Sequence, residues 1–417
     1  MSQLQMNTTY ELLGRNPVHP FPARMSAEIA IEYLLQAKPP VRVLDPMMGS
    51  GTVIALARAN GHRATGIDID PLAVLMAKVW TTPIDFDQVR NRAAAVLQRA
   101  LDVFSTLSLR EAYPRDADSE TKRFVRYWFD QYARRQLAAL AISISKVRDR
   151  NIRAALWCAF SRLIITKQAG ASLAKDLAHS RPHKSFTQAP VKPFARFIGA
   201  VDHVLGNCIP IRGHRRGPRA STRLGDARKL KIRKASIDLV ITSPPYLNAI
   251  DYMRCSKFSL VWMGPSAADL RLIRRCSIGT EVGDYRTSTE SDKLLRRLKL
   301  SSKLSARHRA LLNRFIEDMK AAVSEVARIL VPGGRAVYVI GENTIQGVYV
   351  RNAEIVIAVA RRAGLRLERQ ATRLLPKNRR YLPPPSNVQD APLNTRMRRE
   401  VVLSFRKPKR HHISRNV

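Results

Sequence analysis

Two consecutive strand–turn–helix patterns near the N-terminus constrain the fold of this chain more than any other feature of its sequence. The apolar, β-branched run 41–44 ends at Asp45 and a glycine turn, after which the composition becomes helical. The run 63–67 ends at Asp68, and Pro71 lies where the first turn of the next helix begins. Two such units in succession predict an α/β fold with a parallel, doubly wound sheet.

The alternation of strands and helices stops after the second unit. Residues 83–219 have mainly helical patterns and little strand character, so we predict a helical insertion there. The later strand-like runs are 222–226, 237–241, 335–340, 365–375 and 400–405. The last two of these have the spacing of an antiparallel hairpin. We therefore expect the sheet to be assembled from 1–82 and 220–417, a discontinuous domain interrupted by the insertion.

The charge balance points to a polyanionic partner. The chain carries 72 Lys and Arg against 33 Asp and Glu, a formal net charge of +39, and its sequence pI is about 11.1. Neutralised phosphates release counterions and draw such a protein to nucleic acid. Charge alone does not distinguish DNA from RNA.

Cysteine spacing and hydropathy indicate the cellular compartment in which the protein works. The four cysteines are far apart and form no CxxC pair, so we expect reduced thiols and no structural metal. No apolar run reaches the length of a membrane span, and the first residues lack the pattern of a signal peptide. We expect a cytoplasmic protein.

Gly49 and Gly51 lie at the turn from the first strand into its helix. Glycine lets the backbone approach a ligand closely, and the helix N-terminus favours a negative group such as a carboxylate. The loop lacks the Gly-Lys-Ser/Thr of a P-loop, and Ile54 stands where a dinucleotide motif has its third glycine. These departures disfavour a nucleoside triphosphate or NAD.

Carboxylates follow the second and third predicted strands. Asp68 is placed to accept hydrogen bonds from both hydroxyls of a ribose, with Asp70 as the reserve candidate. Asp226 ends the third strand, where it could accept from the exocyclic amine of an adenine. The alternative for each acid is a helix or turn cap.

The motif Asp45-Pro46-x-x-Gly49-Ser50-Gly51-Thr52 resembles the cofactor loop of the amino-group DNA methyltransferases. The segment 19–25, His-Pro-Phe-Pro-Ala-Arg-Met, is similar to the one that precedes this loop in the family and helps to cover the cofactor. The family usually has an aromatic residue where this chain has Met47, which should alter packing more than chemistry. The resemblance implies S-adenosylmethionine as the cofactor, held by residues that include Asp45, Pro46, Gly49, Ser50, Gly51, Thr52, His19 and Pro20.

The same resemblance specifies the fold more closely. It implies a class I, Rossmann-like methyltransferase with a mostly parallel seven-stranded sheet, a C-terminal antiparallel hairpin and a helical insertion. The insertion 83–219 lies between the two motifs, where one class of the family carries its target-recognition region, so we predict that role for it. Residues 1–82 and 220–417 then form the catalytic domain.

The sequence Thr242-Ser243-Pro244-Pro245-Tyr246 begins at the carboxyl end of a buried-type strand, where open α/β sheets bind ligands. An exocyclic amine conjugated to its ring is a poor nucleophile, so its N–H groups need hydrogen-bond acceptors. Ser243 offers an oxygen, and the two prolines fix the backbone so that the carbonyl of Pro244 is rigidly aimed. Tyr246 can stack on a base that has left the duplex. We predict Ser243, Pro244, Pro245 and Tyr246 as the catalytic residues, with direct transfer of the methyl group.

Ser243 also bears on which base is methylated. In the family, Ser with Thr before it is typical of cytosine-N4 enzymes, whereas Asp or Asn is more typical of adenine-N6 enzymes. We therefore predict N4 of cytosine, with N6 of adenine as the alternative. Cytosine-C5 chemistry needs a nucleophilic cysteine, usually after proline, and the chain has no Pro-Cys pair.

Basic residues in loops and beside the active-site motif are candidate DNA contacts, although a solvated basic face is the simpler explanation for any one of them. The candidates are Arg254, Lys257, Arg215, Arg216, Arg181 and Arg380. A cognate restriction endonuclease is a possible partner of such an enzyme.

Three other functions fit part of the sequence. An RNA or tRNA base methyltransferase shares the two motifs, but no RNA-binding module is recognisable. A protein methyltransferase acting on glutamine is disfavoured by the charge and by Ser243. A non-catalytic nucleic-acid-binding protein on a degenerate fold is disfavoured because both motifs are intact.

Overall fold

The computed structural model describes residues 8–21, 24–177, 182–211, 217–245, 247, 253–282, 288–300, 302–345, 348–375 and 399–409. The first part of the chain contains α1 (Thr9–Leu13), α2 (Ala27–Leu35), β1 (Arg42–Asp45), α3 (Thr52–Ala59), β2 (Arg63–Asp68) and α4 (Pro71–Thr81). The predicted insertion contains β3 (Pro83–Ile84), α5 (Phe86–Thr106), α6 (Ser119–Trp128), α7 (Gln131–Ser145), α8 (Arg150–Ile164), α9 (Pro193–Leu205) and β4 (Ile209–Pro210).

The chain then returns to the sheet. This part contains β5 (Ala220–Leu224), β6 (Ile237–Thr242), α10 (Met253–Leu260), a 3-10 turn (Val261–Met263), α11 (Ala267–Cys276), α12 (Thr289–Arg297) and α13 (Ala306–Ile329). The last elements are β7 (Leu330–Gly341), β8 (Asn343–Ile345), β9 (Val348–Val350), α14 (Asn352–Arg362), β10 (Arg366–Leu374) and β11 (Arg399–Arg406).

The main sheet has seven strands in the order β5-β2-β1-β6-β7-β11-β10. The pairs from β5 to β7 are all parallel, and β11 runs antiparallel to both β7 and β10. This confirms the predicted sheet, mostly parallel and completed by antiparallel C-terminal strands. The hairpin lies at the edge of the sheet, with β11 paired to β7 and β10 outermost.

The central strands are buried on both faces, as their unbroken apolar sequences predict. In β1, Leu44 lies beside Thr65 of β2 on one side and Val240 of β6 on the other, and both Leu44 and Val240 are fully buried. In such a parallel arrangement the carboxyl ends of β1, β2, β5 and β6 lie along one edge of the sheet. The third predicted strand ends two residues earlier than expected, at Leu224, so Asp226 lies in the loop beyond it.

The helices of the insertion pack onto the sheet domain. One apolar cluster contains Leu137 and Phe160 of the insertion together with Trp80 of α4 and Phe258 of α10. The short strands β3 and β4 pair in parallel at the two ends of the insertion. No described helix is long and apolar enough to cross a membrane.

Phe258 is the centre of an aromatic contact between the insertion and α10. Its side chain is fully buried, and its ring centroid lies 5.3 Å from that of Phe124 and 4.9 Å from that of Trp128. Both contacts are edge-to-face, the arrangement that aromatic quadrupoles favour. The position of α10 against α6 therefore depends on this ring.

We expect Phe258→Ala to lower the free energy of unfolding by about 3–5 kcal/mol, because it removes a fully buried ring and leaves a cavity. Leu272→Ala, on the neighbouring α11, is the control, since Leu272 is 59% exposed. Its effect should stay within about 0.5 kcal/mol. Denaturant unfolding curves measure both, and equal effects would contradict the packing described.

Candidate active site

The loops that follow β1, β2, β5 and β6 surround one cleft at the edge of the sheet. It encloses about 1320 Å³, part of which is open to solvent. Of the predicted site residues, those that line it are Asp45, Pro46, Gly49, Ser50, Thr52, Asp68, Asp70, Asp226, Ser243, Pro245 and Arg254. The two sequence motifs therefore meet in one place, although they are far apart in the chain.

The glycine loop has a backbone that other residues would not easily adopt. Gly49 has φ +50° and Gly51 has φ +89°, both in the left-handed region. A Cβ on Gly49 would lie 2.8 Å from Cε1 of Phe21, and a Cβ on Gly51 would lie 2.8 Å from Cβ of Ala77. Gly49 thus faces the cleft beneath Phe21, whereas Gly51 faces α4 and caps α3.

Asp68 ties the end of β2 to the glycine loop. Its Oδ2 accepts from the backbone N–H of Gly49 at 2.8 Å, and its Oδ1 accepts from that of Asp70 at 2.9 Å. Burial, with the nearby charge of Asp70, raises the pKa of the Asp68 carboxyl to about 7. The group is therefore a desolvated acceptor at the cleft wall.

Asp45 makes the direct connection between the two motifs. Its Oδ1 accepts from Oγ1 of Thr242 at 2.7 Å, and both side chains are buried. Burial raises the pKa of Asp45 to about 7. The ends of β1 and β6, from which the two loops leave, are thus held together.

Asp70 has the capping role that its position allows. Its Oδ1 accepts from the backbone N–H of Leu72 at 2.8 Å at the start of α4, and its Oδ2 accepts from Oγ of Ser256 at 2.6 Å. Burial raises the pKa of this carboxyl as well. Asp70 therefore fixes α10 against α4 while also lining the cleft.

The Ser-Pro-Pro segment leaves the end of β6 toward the cleft. Oγ of Ser243 donates to the carbonyl of Val339 at 3.1 Å, and Ser243 and Pro245 line the cleft. Pro244 is buried and does not line it. The predicted stacking residue Tyr246 lies outside the described residues.

His19 and Pro20 do not line the cleft, contrary to the role that the family resemblance implies for them. The ring of His19 is 1% exposed, with Nδ1 2.7 Å from the carbonyl of Pro20 and Nε2 2.9 Å from Oγ of Ser161 on α8. Burial lowers its pKa to about 3, so this ring is neutral. The neighbours Phe21 and Arg24 line the cleft instead, and His19 anchors their segment to the insertion.

Asp226 lines the cleft, but its carboxylate is already engaged. It accepts from Nε of Arg228 at 3.0 Å and from Nη2 at 2.6 Å. The same guanidinium donates from Nη1 to Asp318 at 2.6 Å and from Nη2 to the carbonyl of Cys276 at 2.6 Å. Arg228 therefore joins Asp226 to the cleft wall formed by 274–281.

This wall carries no cofactor or catalytic motif in the sequence. A second arginine, Arg314, donates to the carbonyls of Arg275 and Val282, and its Nε lies 3.8 Å from Oδ2 of Asp318. Asp318 is 3% exposed, so a buried carboxylate holds two guanidinia that in turn hold the wall. The only hint in the sequence is an acid and an arginine four apart on one helix, which is a common pattern.

Two of the six candidate DNA-contact residues lie in the part of the chain that the structure describes. Arg254 lines the cleft, and Nζ of Lys257 lies 5.1 Å from the ring centroid of Phe124 on α6. The remaining candidates, Arg215, Arg216, Arg181 and Arg380, lie outside the described residues. Within the described part of the chain, no group of three or more His, Cys, Asp or Glu side chains could hold a metal ion.

The strand order, with a glycine loop after β1 and an acid at the end of β2, defines the class I methyltransferase fold. The type II methyltransferase M.MvaI of Kocuria varians is 24% identical to this chain over 377 residues, 82% of this chain and 79% of that protein. The type II methyltransferase M.AvaI of Nostoc sp. is 23% identical over 269 residues, 56% of this chain and 50% of that protein. No protein-family model matches the chain.

A solved structure shows a more distant likeness. The SAM-dependent methyltransferase of Methanosarcina mazei is 8% identical, with a TM-score of 0.33, over 91% of this chain and 97% of that one. At that score the fold assignment rests on the strand order of this chain itself. The similarity to type II methyltransferases supports the family resemblance drawn from the two motifs.

We expect Arg228→Gln to lower the free energy of unfolding by about 3–5 kcal/mol, because the buried Asp318 loses a charged partner. Adding Asp318→Asn should restore part of the loss, with a coupling of about 0.5–3 kcal/mol in a double-mutant cycle. Arg233→Gln is the control, since Arg233 is an exposed arginine nearby. Strictly additive effects in urea unfolding would argue against a shared network.

Proposed function

We propose that this protein transfers a methyl group from S-adenosylmethionine to the exocyclic amino group of a flipped-out DNA base, with N4 of cytosine as the favoured target. The observation that carries the proposal is the meeting of two loops in one cleft. The glycine loop with Asp68 and the Ser-Pro-Pro segment both line it, and the hydrogen bond between Asp45 and Thr242 joins them. The similarity to type II methyltransferases supports the same function.

The electrostatics of the cleft fit the proposed cofactor. Asp45 and Asp70 are buried and Asp68 is half-buried, and all three carboxyls have raised pKa values, in a protein whose formal net charge is +39. A ligand that brings positive charge and hydroxyl donors would stabilise their ionised forms. S-adenosylmethionine, when bound, supplies an electrophilic methyl group on a positively charged sulfur. Gly49 lines the cleft together with Asp68, and because it has no side chain its backbone can approach such a ligand closely.

Ser243 is arranged to act as an acceptor. Its hydroxyl donates to the carbonyl of Val339, and a hydroxyl oxygen can accept a hydrogen bond, such as one from an N–H of the base, as well as donate one. The carbonyl of Pro244 is the second acceptor that the motif offers. Two acceptors on the amine pull its nitrogen toward sp³ geometry and raise its nucleophilicity. The stacking role of Tyr246 rests on the sequence motif.

The choice of cytosine over adenine rests on Ser243 and the family resemblance, and the choice of DNA over RNA rests on the type II relatives. A cytoplasmic location and a partner restriction endonuclease stay predictions. Two alternatives therefore differ from the proposal in product only: N6-methyladenine in DNA, and a methylated base in RNA. Identifying the product decides between them.

Mass spectrometry of nucleosides, after DNA or RNA is incubated with the protein and methyl-labelled S-adenosylmethionine, should give labelled N4-methylcytosine from DNA. Pro244→Ala and Tyr246→Ala should nearly abolish labelling while cofactor binding, followed by calorimetry, stays largely intact. Arg361→Ala, at an exposed arginine of α14, is the control variant. Label in N6-methyladenine or in RNA would refute the assigned target, and wild-type turnover in either motif variant would refute the site.

The affinity for S-adenosylmethionine should rise with pH up to about 7 and then level off. The raised pKa of Asp68 means that the free carboxyl is protonated below about 7, and it must lose that proton before it can accept from both ribose hydroxyls. The gain approaches tenfold in affinity per pH unit below the pKa for one linked proton. Calorimetry between pH 6 and 7.5 measures it.

Asp68→Asn should bind more weakly and lose the part of this pH dependence that Asp68 contributes, while the part due to Asp45 remains. Glu281→Gln is the matched control, because Glu281 is an exposed acid at the rim of the same cleft. An affinity that falls as the pH rises through this range would count against Asp68 as the ribose acceptor.

A further inference from the structure

Three basic side chains from other parts of the chain lie along one side of α6, and each contacts a residue of that helix. Nζ of Lys184 lies 4.3 Å from the ring centroid of Tyr127, and Nζ of Lys257 lies 5.1 Å from that of Phe124. Arg271 forms an ion pair with Glu120. Glu120, Phe124 and Tyr127 are spaced by three or four residues and so share one side of the helix. We call this row of three contacts the α6 flank.

The α6 flank begins at the mouth of the cleft. Arg254 of α10 lines the cleft, and Lys257 follows it by one helical turn on the same side. On α11, Arg274 lines the cleft and Arg271 precedes it by one turn. Two helices thus lead from the cleft to the flank, and each carries an arginine at the cleft and a basic residue on the flank.

The aromatic rings hold the two lysines in place. A cation over an aromatic face gains about 0.5–1 kcal/mol at an exposed site, enough to bias its position without neutralising its charge. Tyr127 is 54% exposed, so its ring is accessible beside Lys184. The one acid of the row, Glu120, is already paired with Arg271, and Arg123 and Arg126 are exposed on the adjoining surface of α6. The flank therefore presents net positive charge.

A polymeric substrate requires such a surface. A nucleotide inside the cleft remains covalently linked to its neighbours, so the phosphates on either side must leave the cleft across its rim. Fixed cations that start at the rim and continue outward are suited to binding those phosphates, and phosphate contacts set the position of the duplex. The charge sign and the linear arrangement favour a phosphodiester backbone as the occupant.

We propose that the α6 flank binds the DNA backbone next to the nucleotide in the cleft, with Lys257 and Lys184 contacting successive phosphates. This rests on the proposed function, because it takes DNA as the polymer. The helical insertion then contributes to substrate binding through α6 and Lys184, while the flank leaves the reacting atoms to the Ser-Pro-Pro segment.

The test is the salt dependence of duplex DNA binding, followed by fluorescence anisotropy of the full chain without any need for catalysis. Each phosphate contact contributes about 0.9 to the slope of log K against log salt. Lys184→Ala with Lys257→Ala should therefore reduce the slope by about 2, and each single variant by about 1, a loss of about eightfold in affinity per contact at 0.1 M salt. Tyr127→Leu should give a smaller loss, since the ammonium remains but its position is released.

Lys192→Ala is the matched control, because Nζ of Lys192 lies 5.1 Å from the ring centroid of Tyr132, which belongs to α7 of the same insertion and not to the α6 flank. Its slope should equal that of the wild type. An equal loss in this control would mean that the effect is one of general charge, and would overturn the proposal. An unchanged slope in the double variant would overturn it too.

The outcomes also separate this proposal from the proposed function. Calorimetry with S-adenosylmethionine should give the same affinity for the double variant and the wild type, because neither lysine lines the cleft. A reduced slope in a protein that methylates no nucleic acid would support the flank and refute the enzyme. Methylation of DNA by the double variant with an unchanged KM for DNA would support the enzyme and refute the flank. A reduced salt slope of the double variant on duplex RNA, with an unchanged slope on duplex DNA, would refute the assignment to DNA.

Discussion

The hydrogen bond from Thr242 to Asp45 joins the ends of two strands, at residues 197 positions apart in the chain, and the geometry of the cleft depends on it. It forms because β1 and β6 are neighbouring parallel strands, so their carboxyl ends meet at one edge of the sheet. Asp68 extends the same connection by accepting from Gly49, which fixes the glycine loop against β2. Carboxyl groups thus give the site its shape, and they also line it with hydrogen-bond acceptors in a strongly basic protein.

Much of this arrangement follows from the sequence. Apolar runs that end in an acid and a glycine turn predicted the parallel strands, and the order of parallel strands predicted that the two motifs would meet. The order of the last two strands could not be predicted in the same way. The spacing of 365–375 and 400–405 indicates that the strands pair, but it does not indicate that β11 lies between β10 and β7. A strand joins a sheet by backbone hydrogen bonds to its open edge, so which of the two strands pairs with β7 depends on the assembled sheet.

The parts of the site that the sequence did not predict are held by contacts between distant side chains. The wall 274–281 depends on Arg228, Arg314 and Asp318, and its residues carry no motif of their own. His19 shows the converse, since a residue expected over the cofactor is buried against Ser161. A local pattern cannot show this, because the partner of His19 belongs to a helix of the insertion.

The pairing of β3 with β4 has a consequence for how the insertion relates to the rest of the chain. Paired strands lie about 4.8 Å apart, so the polypeptide leaves the sheet domain and returns to it at almost the same point. The cost in chain entropy of closing that loop grows only slowly with its length. Helices can therefore be added to or removed from this segment with little effect on the sheet, provided that the surface packed around Phe258 and Trp80 is kept.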